Sequence, residues 1–91
     1  MADSLTVYTT SWCGPCRTLK RGLDEHRIPY REINIEIDDA AADWVMSINT
    51  GNRTVPTVRF SDGSTLTNPA LSAVTAKLSE LAAAADALKS G

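Results

Sequence analysis

Four short runs rich in apolar and β-branched residues predict the strands of this chain. They are Leu5–Thr9, Tyr30–Ile37, Thr57–Phe60 and Thr65–Thr67. In the second run, Ile33, Ile35 and Ile37 alternate with polar residues, so these three side chains are expected to share one face, and the strand is expected to fade by Glu36. The pair Asp62-Gly63 stands between the last two runs and is typical of a tight β-hairpin, which makes those two strands antiparallel.

Apolar residues at helical spacing predict three helices between and after the strands. The first helix begins near Pro15, where the missing N–H of proline has no consequence, and ends before Pro29. Asp38 and Asp39 can cap the second helix and place negative charge at its positive end. The predicted apolar faces are Leu19 and Leu23 in the first helix, Trp44, Val45 and Ile48 in the second, and Leu71, Val74, Leu78 and Leu81 in the third.

The resulting element order is β-α-β-α-β-β-α, which predicts an α/β fold. A β-α-β unit joins two parallel strands through a right-handed crossover. The hairpin, in contrast, is antiparallel. We therefore expect a mixed four-stranded sheet flanked by three helices. Because the chain has only 91 residues, the whole of it, 1–91, is expected to form a single domain.

Composition and charge narrow the functional classes. The chain is 43% hydrophobic and 22% charged, and its net charge is −2. This weak charge, without a long basic run, argues against a nucleic-acid or membrane partner. No apolar run is long enough to cross a bilayer, and Met1–Ser4 lacks the basic and apolar regions of a signal peptide. We therefore expect a cytoplasmic protein, with a monomer as the default oligomeric state.

The candidate chemistry lies in one segment between the first strand and the first helix, Trp12-Cys13-Gly14-Pro15-Cys16-Arg17. In a cytosolic protein with a β-α-β pattern, two cysteines at this spacing indicate a redox-active dithiol. The N–H groups and dipole of the helix N-terminus stabilise a thiolate at Cys13, and the thiolate is the nucleophile. We therefore expect Cys13 to be the exposed attacking thiol and Cys16 to be the more buried resolving thiol.

The neighbours of the two cysteines are expected to shape this site. Gly14 permits close approach of the two sulfurs, and Pro15 stiffens the turn. Trp12 is expected to form a wall beside Cys13 rather than to pack in the core. A zinc site is the alternative interpretation of the cysteine pair, but such a site needs four ligands and only His26 could join the two cysteines. No metal is therefore expected.

A second signal is Thr54-Val55-Pro56, because a proline entering a strand must occupy its first position or an edge and invites a cis peptide bond. With both signals present, about 5–81 of the chain resembles the thioredoxin superfamily, in which a C-x-x-C motif faces a cis-proline that precedes a strand. Length and element order resemble the compact glutaredoxin branch. The resemblance implies a thioredoxin fold, a cis Pro56 near Cys13, and a Val55 backbone that pairs with a bound thiol substrate.

A closer resemblance is to the actinobacterial mycoredoxins. It is carried by the segments Thr9–Cys13, Gly51–Val58 and Ser61–Pro69. Mycoredoxins reduce mixed disulfides formed with mycothiol, the low-molecular-weight thiol that those bacteria use in place of glutathione. Glutathione-binding glutaredoxins have a double glycine and an aspartate after the hairpin, where this chain has Leu66-Thr67-Asn68-Pro69. Thr67 and Asn68 therefore join Thr54–Pro56 as expected substrate-binding residues, for a thiol of different shape from glutathione.

A second departure from the glutaredoxin pattern, at Pro15, matches thioredoxin, whereas Val7 differs from thioredoxin. Pro15 stands where glutaredoxins usually have an aromatic residue, and Cys-Gly-Pro-Cys is the thioredoxin active-site sequence. Thioredoxins work near −270 mV and glutaredoxins about 40 to 70 mV higher, so we expect a more reducing potential than in a typical glutaredoxin. Thioredoxins also bury an acidic residue six positions before the first cysteine, whereas Val7 occupies that position here. No carboxylate is then available there as a base for Cys16.

We therefore expect a mycoredoxin-type thiol-disulfide oxidoreductase. Its substrates would be protein disulfides and mixed disulfides with a low-molecular-weight thiol, expected to be mycothiol, and no cofactor would be tightly bound. Its partners would be disulfide-containing or S-thiolated proteins, and mycothiol with its reductase. Arg17 is the first candidate to hold an anionic or sugar-bearing substrate, because it adjoins the dithiol, ahead of Arg53 and Arg59.

Two alternative functions remain open. The first is a dithiol electron donor reduced by thioredoxin reductase, like the redoxins that serve ribonucleotide reductase. The W-S-G-F-R-P-like stretch typical of those redoxins is absent from Thr67–Leu71. The second is a [2Fe–2S] cluster carrier, which a rigid Pro15 in the C-x-x-C loop disfavours. The turnover of the protein with thioredoxin reductase alone, and its colour after anaerobic purification, distinguish these alternatives.

Overall fold

The computed structural model describes the backbone of residues 5–90 and the side chains of residues 5–84. The strands are β1 (Leu5–Thr9), β2 (Arg31–Asn34), β3 (Thr57–Phe60) and β4 (Thr65–Thr67). The helices are α1 (Gly14–Glu25), α2 (Asp39–Ile48) and α3 (Leu71–Ser90). The predicted order β-α-β-α-β-β-α is confirmed. Within the described residues, no helix is both long enough and apolar enough to cross a membrane.

The four strands form one mixed sheet in the order β2-β1-β3-β4. Strands β1 and β2 are parallel, and the crossover between them is α1. Strand β3 pairs antiparallel with both β1 and β4. Since β1 and β3 occupy the centre of the sheet, both edges of each of these strands are paired. The end of β1 is therefore held firmly, and the cysteine-containing segment follows it directly.

Two hydrophobic clusters lie on opposite faces of the sheet. The cluster between the sheet and helices α1 and α3 consists of Leu5, Val7, Leu19, Leu23, Val58, Phe60 and Val74. The cluster between the sheet and α2 consists of Tyr8, Ile35, Ala41, Ala42 and Val45. The partly buried Trp44 packs against this second cluster, with its ring centroid 4.7 Å from that of Tyr8. The predicted apolar faces of α1 and α3 are thus confirmed.

Two isoleucines do not lie where the hydrophobic pattern predicts. The second strand ends at Asn34 rather than Ile37, because the chain turns there: Glu36 N–H donates to Asn34 Oδ1 at 2.8 Å. Ile37 lies beyond this turn and is 85% exposed. Ile48, the last residue of α2, is 40% exposed, and the residue after it, Asn49, hydrogen-bonds to Thr57 of β3.

The start of α2 follows the sequence prediction. Asp38 is the N-cap residue, and its Oδ1 accepts a hydrogen bond from Ala41 N–H at 3.0 Å. This bond satisfies one of the N–H groups that the first helical turn leaves without an intrahelical partner. The buried side chains of α2 include the small residues Ala41 and Ala42, which belong to the hydrophobic cluster between this helix and the sheet.

Candidate active site at the Cys13–Cys16 pair

The two cysteines lie at the N-terminus of α1, at the end of the short segment that leaves β1. They form a disulfide, with their Cα atoms 5.2 Å apart. Cys13 is the N-cap residue, and its Sγ accepts a hydrogen bond from Cys16 N–H at 3.2 Å. Gly14 and Pro15 are the first two residues of the helix, and both are exposed. This cap geometry places the Cys13 sulfur at the positive end of the helix dipole, where a thiolate is stabilised.

The exposure of Cys13 differs from the sequence prediction. Cys13 is only 3% exposed and Cys16 is 1% exposed, so the expectation of an exposed Cys13 is wrong for the disulfide-bonded protein. Two contacts account for this burial, because Cys13 Sγ is bonded to the sulfur of Cys16 and lies 3.7 Å from the carbonyl oxygen of Val55. Both cysteines are therefore buried to nearly the same extent in the disulfide form.

The loop before β3 contains the second sequence motif and lies against Cys13. The Val55–Pro56 peptide bond is cis, and Pro56 is fully buried. Thr54 and Val55 are half-buried. The Pro56 carbonyl accepts a hydrogen bond from Asn68 N–H at 2.7 Å, so the chain that leaves β4 is held against this loop. The structure thus brings the expected substrate-binding segments 54–56 and 67–68 together.

One asparagine that the sequence interpretation did not single out fixes this arrangement. The Asn49 amide donates to Thr57 Oγ1 at 3.1 Å, and its carbonyl accepts from Thr67 Oγ1 at 2.6 Å. Thr57 is fully buried, and its hydroxyl donates to the Thr54 carbonyl at 2.7 Å. These bonds join the end of α2 to β3, to β4 and to the loop that faces Cys13. No sequence signal distinguishes Asn49 from an ordinary residue at a helix C-terminus.

Two basic residues near the dithiol, Arg17 and Lys20, make hydrogen bonds to other residues of the protein. The exposed Arg17 guanidinium donates a hydrogen bond from Nη2 to the Ser11 carbonyl at 3.2 Å, so Arg17 contacts the loop before Cys13. Lys20 Nζ lies 2.7 Å from Glu32 Oε2. Burial raises the pKa of Glu32, but hydrogen bonds from Lys20 and the buried Thr9 hydroxyl outweigh it and hold this pKa below its usual value. The Lys20 charge is therefore already paired.

A second carboxylate, absent from the sequence prediction, fixes the segment before Cys13. Glu36 Oε1 accepts hydrogen bonds from both Ser11 N–H, at 2.6 Å, and Ser11 Oγ, at 2.7 Å. These two bonds hold the pKa of Glu36 below its usual value, so that it is ionised at neutral pH. The sequence placed Glu36 at the fading end of a strand. The turn at Asn34 instead directs it toward the active-site loop.

Two cavities flank the cysteine pair. One, of about 530 Å³, lies between the start of α1 and the chain before α3, and its lining includes Pro15, Thr18 and Asn68. The other, of about 220 Å³, is lined in part by Trp12, which is 70% exposed. Trp12 therefore lies at the surface beside Cys13, not in the core. The position six residues before Cys13 is occupied by Val7, which is fully buried and has no carboxylate.

Comparisons with known proteins agree with this site. The family model for glutaredoxin matches residues 5–64. The chain is 60% identical over 79 residues to a glutaredoxin-type protein of Mycobacterium tuberculosis (strain H37Rv), covering 87% of this chain and 94% of that protein. It is 48% identical over 80 residues to mycoredoxin 1 of Corynebacterium glutamicum (strain ATCC 13032), covering 88% of this chain and 99% of that protein.

A solved structure shows the same fold. A variant of the thioredoxin-like protein BC3987 superposes with a TM-score of 0.70 at 24% identity, covering 81% of this chain and 97% of that one. The mixed four-stranded sheet with its three helices is thus a thioredoxin-like fold.

Proposed function

Since this chain belongs to the glutaredoxin family and is a thiol-disulfide oxidoreductase, we propose that it reduces mixed disulfides between proteins and mycothiol. Cys13 is the nucleophile of this reaction, and Cys16 resolves intermediates formed with protein disulfides. The observation that carries the proposal is the position of Cys13, whose sulfur accepts the Cys16 N–H at a helix N-terminus and lies 3.7 Å from the Val55 carbonyl. The similarity to mycoredoxin 1 supports mycothiol as the co-substrate.

The proposed reaction begins at Cys13. Its thiolate attacks the mycothiol sulfur of a mixed disulfide, so that a Cys13–mycothiol disulfide forms and the target protein leaves as a thiolate. A second mycothiol, as its thiolate, then attacks the bound mycothiol sulfur. This step releases the symmetrical mycothiol disulfide and restores the Cys13 thiolate. The reductase of the mycothiol system then reduces the released disulfide back to two molecules of mycothiol.

Protein disulfides follow a two-thiol route. Cys13 forms a mixed disulfide with the target protein, and the Cys16 thiolate then attacks Cys13 Sγ, which releases the reduced target and leaves the Cys13–Cys16 disulfide. The Val55 backbone supports this role, because its carbonyl lies against the Cys13 sulfur and an extended substrate segment could add to it as a strand does. Thr54, Thr67 and Asn68 contribute to the same substrate surface.

The test compares three proteins on one substrate, a peptide–mycothiol mixed disulfide coupled to mycothiol and mycothiol disulfide reductase. Cys13→Ser is expected to lose all turnover. Cys16→Ser is expected to retain a substantial part, because mycothiol itself resolves the intermediate. Unfolding curves of both variants, recorded under reducing conditions, serve as the folding control.

The opposite pattern would support a different function. If Cys16→Ser is inactive and the wild type turns over only with NADPH and thioredoxin reductase, both thiols are required and the protein is a thioredoxin-reductase-coupled electron donor. Pro15, which completes the Cys-Gly-Pro-Cys sequence, is the feature that favours this second function. The reductant that supports turnover of the wild type, mycothiol or thioredoxin reductase, therefore distinguishes the two functions.

A further inference from the structure

The turn after β2 lies beside the segment that leads to Cys13. Strands β1 and β2 are parallel, and their last residues, Thr9 and Asn34, are Cα partners in the ladder. The chain therefore leaves both strands side by side, at the same edge of the sheet. Beyond that edge, Glu36 Oε1 accepts hydrogen bonds from both the N–H and the Oγ of Ser11. These bonds join the two segments, so the residue after Glu36 lies next to the active-site loop.

That residue, Ile37, presents an apolar side chain to solvent. Among residues 5–84, three large apolar side chains are exposed: Ile37 at 85%, Trp12 at 70% and Ile48 at 40%. Ile37 and Trp12 lie at the edge of the sheet that carries the dithiol, whereas Ile48 is at the far end of α2. Burial of Ile37 against a partner releases the water that covers it, which is favourable. Neighbouring exposed apolar side chains of this kind are typical of a protein–protein contact.

Negative charge follows Ile37 along the chain. The segment 36–43 contains four acidic residues and no Lys or Arg. Asp39 and Asp43 are exposed, share one face of α2 at i, i+4 spacing, and form no salt bridge with another residue in the described part of the chain. The helix start accounts for Asp38, which is the N-cap, and for Asp39, since negative charge is favourable there. Asp43 lies one turn further along, where this explanation weakens.

We propose that Trp12, Ile37, Asp39 and Asp43 form a docking surface for disulfide-containing target proteins. The surface favours targets that carry an apolar side chain and Lys or Arg residues beside the reactive cysteine. The apolar side chain packs on Ile37 and Trp12, and the basic residues pair with the two aspartates. The inference rests on the two-thiol route of the proposed function, and it adds the class of protein substrate that this route takes.

The charge of this docking surface argues for a basic target rather than a second copy of the chain. A symmetric dimer through the surface brings the same aspartates of both copies close together, and like charges across an interface are unfavourable. A basic target gains from the same charges. Complementary charges also speed association, and salt screens this effect. The preference for basic targets is therefore expected to weaken as the ionic strength rises.

The test is a single turnover of the reduced protein with peptides that contain one intramolecular disulfide. Cys13 attacks the peptide disulfide and Cys16 then attacks Cys13, so two electrons pass to the peptide and no further reductant is needed. Three peptides share the same disulfide and differ only beside the reactive cysteine. The first carries a leucine and two lysines, the second a leucine and two glutamates, and the third a serine and two lysines.

The wild type is expected to discriminate among these peptides. It should reduce the leucine–lysine peptide about tenfold faster than the leucine–glutamate peptide at about 50 mM salt, and about threefold faster at about 500 mM. It should also reduce the leucine–lysine peptide about fivefold faster than the serine–lysine peptide, because only leucine gains from burial against Ile37.

Two double variants test the charged part of the docking surface. Asp39→Asn with Asp43→Asn should reduce the preference for lysine over glutamate from about tenfold to about threefold at low salt. Glu25→Gln with Glu80→Gln is the matched control, because it removes the same net charge from exposed side chains at the end of α1 and on α3. This control should keep the tenfold preference.

Ile37→Ser tests the apolar part. It should abolish the preference for leucine over serine, because the apolar side chain of the target then has no isoleucine to pack on. Ile48→Ser is the matched control, since it makes the same exchange at an exposed position at the other end of α2. This control should keep the fivefold preference. Unfolding curves of all variants under reducing conditions check that they fold.

Several results would overturn the docking surface. These are similar wild-type rates for the three peptides, a full charge preference in the aspartate double variant, or a full leucine preference in Ile37→Ser. A wild-type dimer that Ile37→Ser dissociates, measured by sedimentation, would assign the surface to a second copy instead. Turnover of the peptide–mycothiol mixed disulfide reports separately on the proposed co-substrate. Its absence alongside intact peptide preferences refutes mycothiol reduction and leaves the docking surface supported.

Discussion

Replacement of Asn49 by alanine removes the side chain that joins the end of α2 to the loop facing Cys13. The amide donates to the Val45 carbonyl at 3.0 Å and to Thr57 Oγ1 at 3.1 Å, and its oxygen accepts from Thr67 Oγ1 at 2.6 Å. Thr57 in turn donates to the Thr54 carbonyl. The position of the Thr54–Pro56 segment, and with it the surface beside the Cys13 sulfur, therefore depends on Asn49.

The expected loss in the free energy of unfolding is smaller than the free energy of three hydrogen bonds that nothing replaces. Thr67 is exposed, so water replaces its lost acceptor at little cost. The Val45 carbonyl keeps the Asn49 backbone N–H at 3.0 Å, and the Thr57 hydroxyl keeps its own bond to Thr54. The buried contact with Thr57 remains the main loss. We expect the free energy of unfolding to fall by about 1 to 2 kcal/mol, and the melting temperature by about 4 to 16 °C.

Urea unfolding of the oxidised protein, followed by circular dichroism, measures this change. Asn52→Ala is the matched control, because it removes one exposed side-chain hydrogen bond, to the Asn49 carbonyl at 3.2 Å, and leaves the backbone N–H bond to the same carbonyl in place. This loss should cost less than about 0.5 kcal/mol. A double-mutant cycle of Asn49→Ala with Thr57→Val isolates the buried contact. We expect the two changes to be non-additive by about 0.5 to 1.5 kcal/mol.

Two results would refute this reasoning. If Asn49→Ala and Asn52→Ala destabilise the protein equally, the buried bond to Thr57 contributes nothing measurable. If the double-mutant cycle is additive within about 0.3 kcal/mol, the two side chains do not act together. A third observation links stability to function: Asn49→Ala should raise the KM for a mixed-disulfide substrate more than it lowers kcat, because it displaces a binding surface rather than the reacting sulfur.

Three further predictions follow from other parts of the structure. Asp38→Ala should lower the free energy of unfolding by about 1 kcal/mol because the N-cap bond to Ala41 is lost, and Asp38→Asn should retain most of it; equal urea midpoints for the two variants would contradict this. The pKa of Glu32 is lower in the folded protein than in the unfolded chain, so the ionised carboxylate stabilises the fold. The difference in free energy of unfolding between the wild type and Glu32→Gln should therefore be full above about pH 5 and fade as the pH falls below about 4. A constant difference across an unfolding series from about pH 3 to 7 would argue against this. The reduction potential of the Cys13–Cys16 pair, measured by redox equilibration with thioredoxin, should lie below about −230 mV, and Pro15→Tyr should raise it. A wild-type value of about −230 to −200 mV would remove the basis for this prediction.

Much of the fold could be predicted from the sequence, because local rules operated without conflict. The Asp62-Gly63 pair predicted the hairpin, and Gly63 has the positive φ of 88° that such a turn requires. The predicted strands before and after it match β3 and β4 residue for residue. Asp38 caps α2 as its side chain suggested. The two cysteines were also identified from the sequence, because their spacing and their position before a helix are both local features.

Tertiary structure decided everything that depended on segments far apart in the chain. The hydrophobic pattern placed Ile37 with Ile33 and Ile35, but a turn at Asn34 leaves it exposed. The same turn directs Glu36 to Ser11, 25 residues away, which no local pattern indicates. The burial of Cys13 likewise depends on the Val55 carbonyl, 42 residues further along. Hydrophobic periodicity and turn residues act over a few positions, whereas these contacts exist only once the sheet has brought distant segments together.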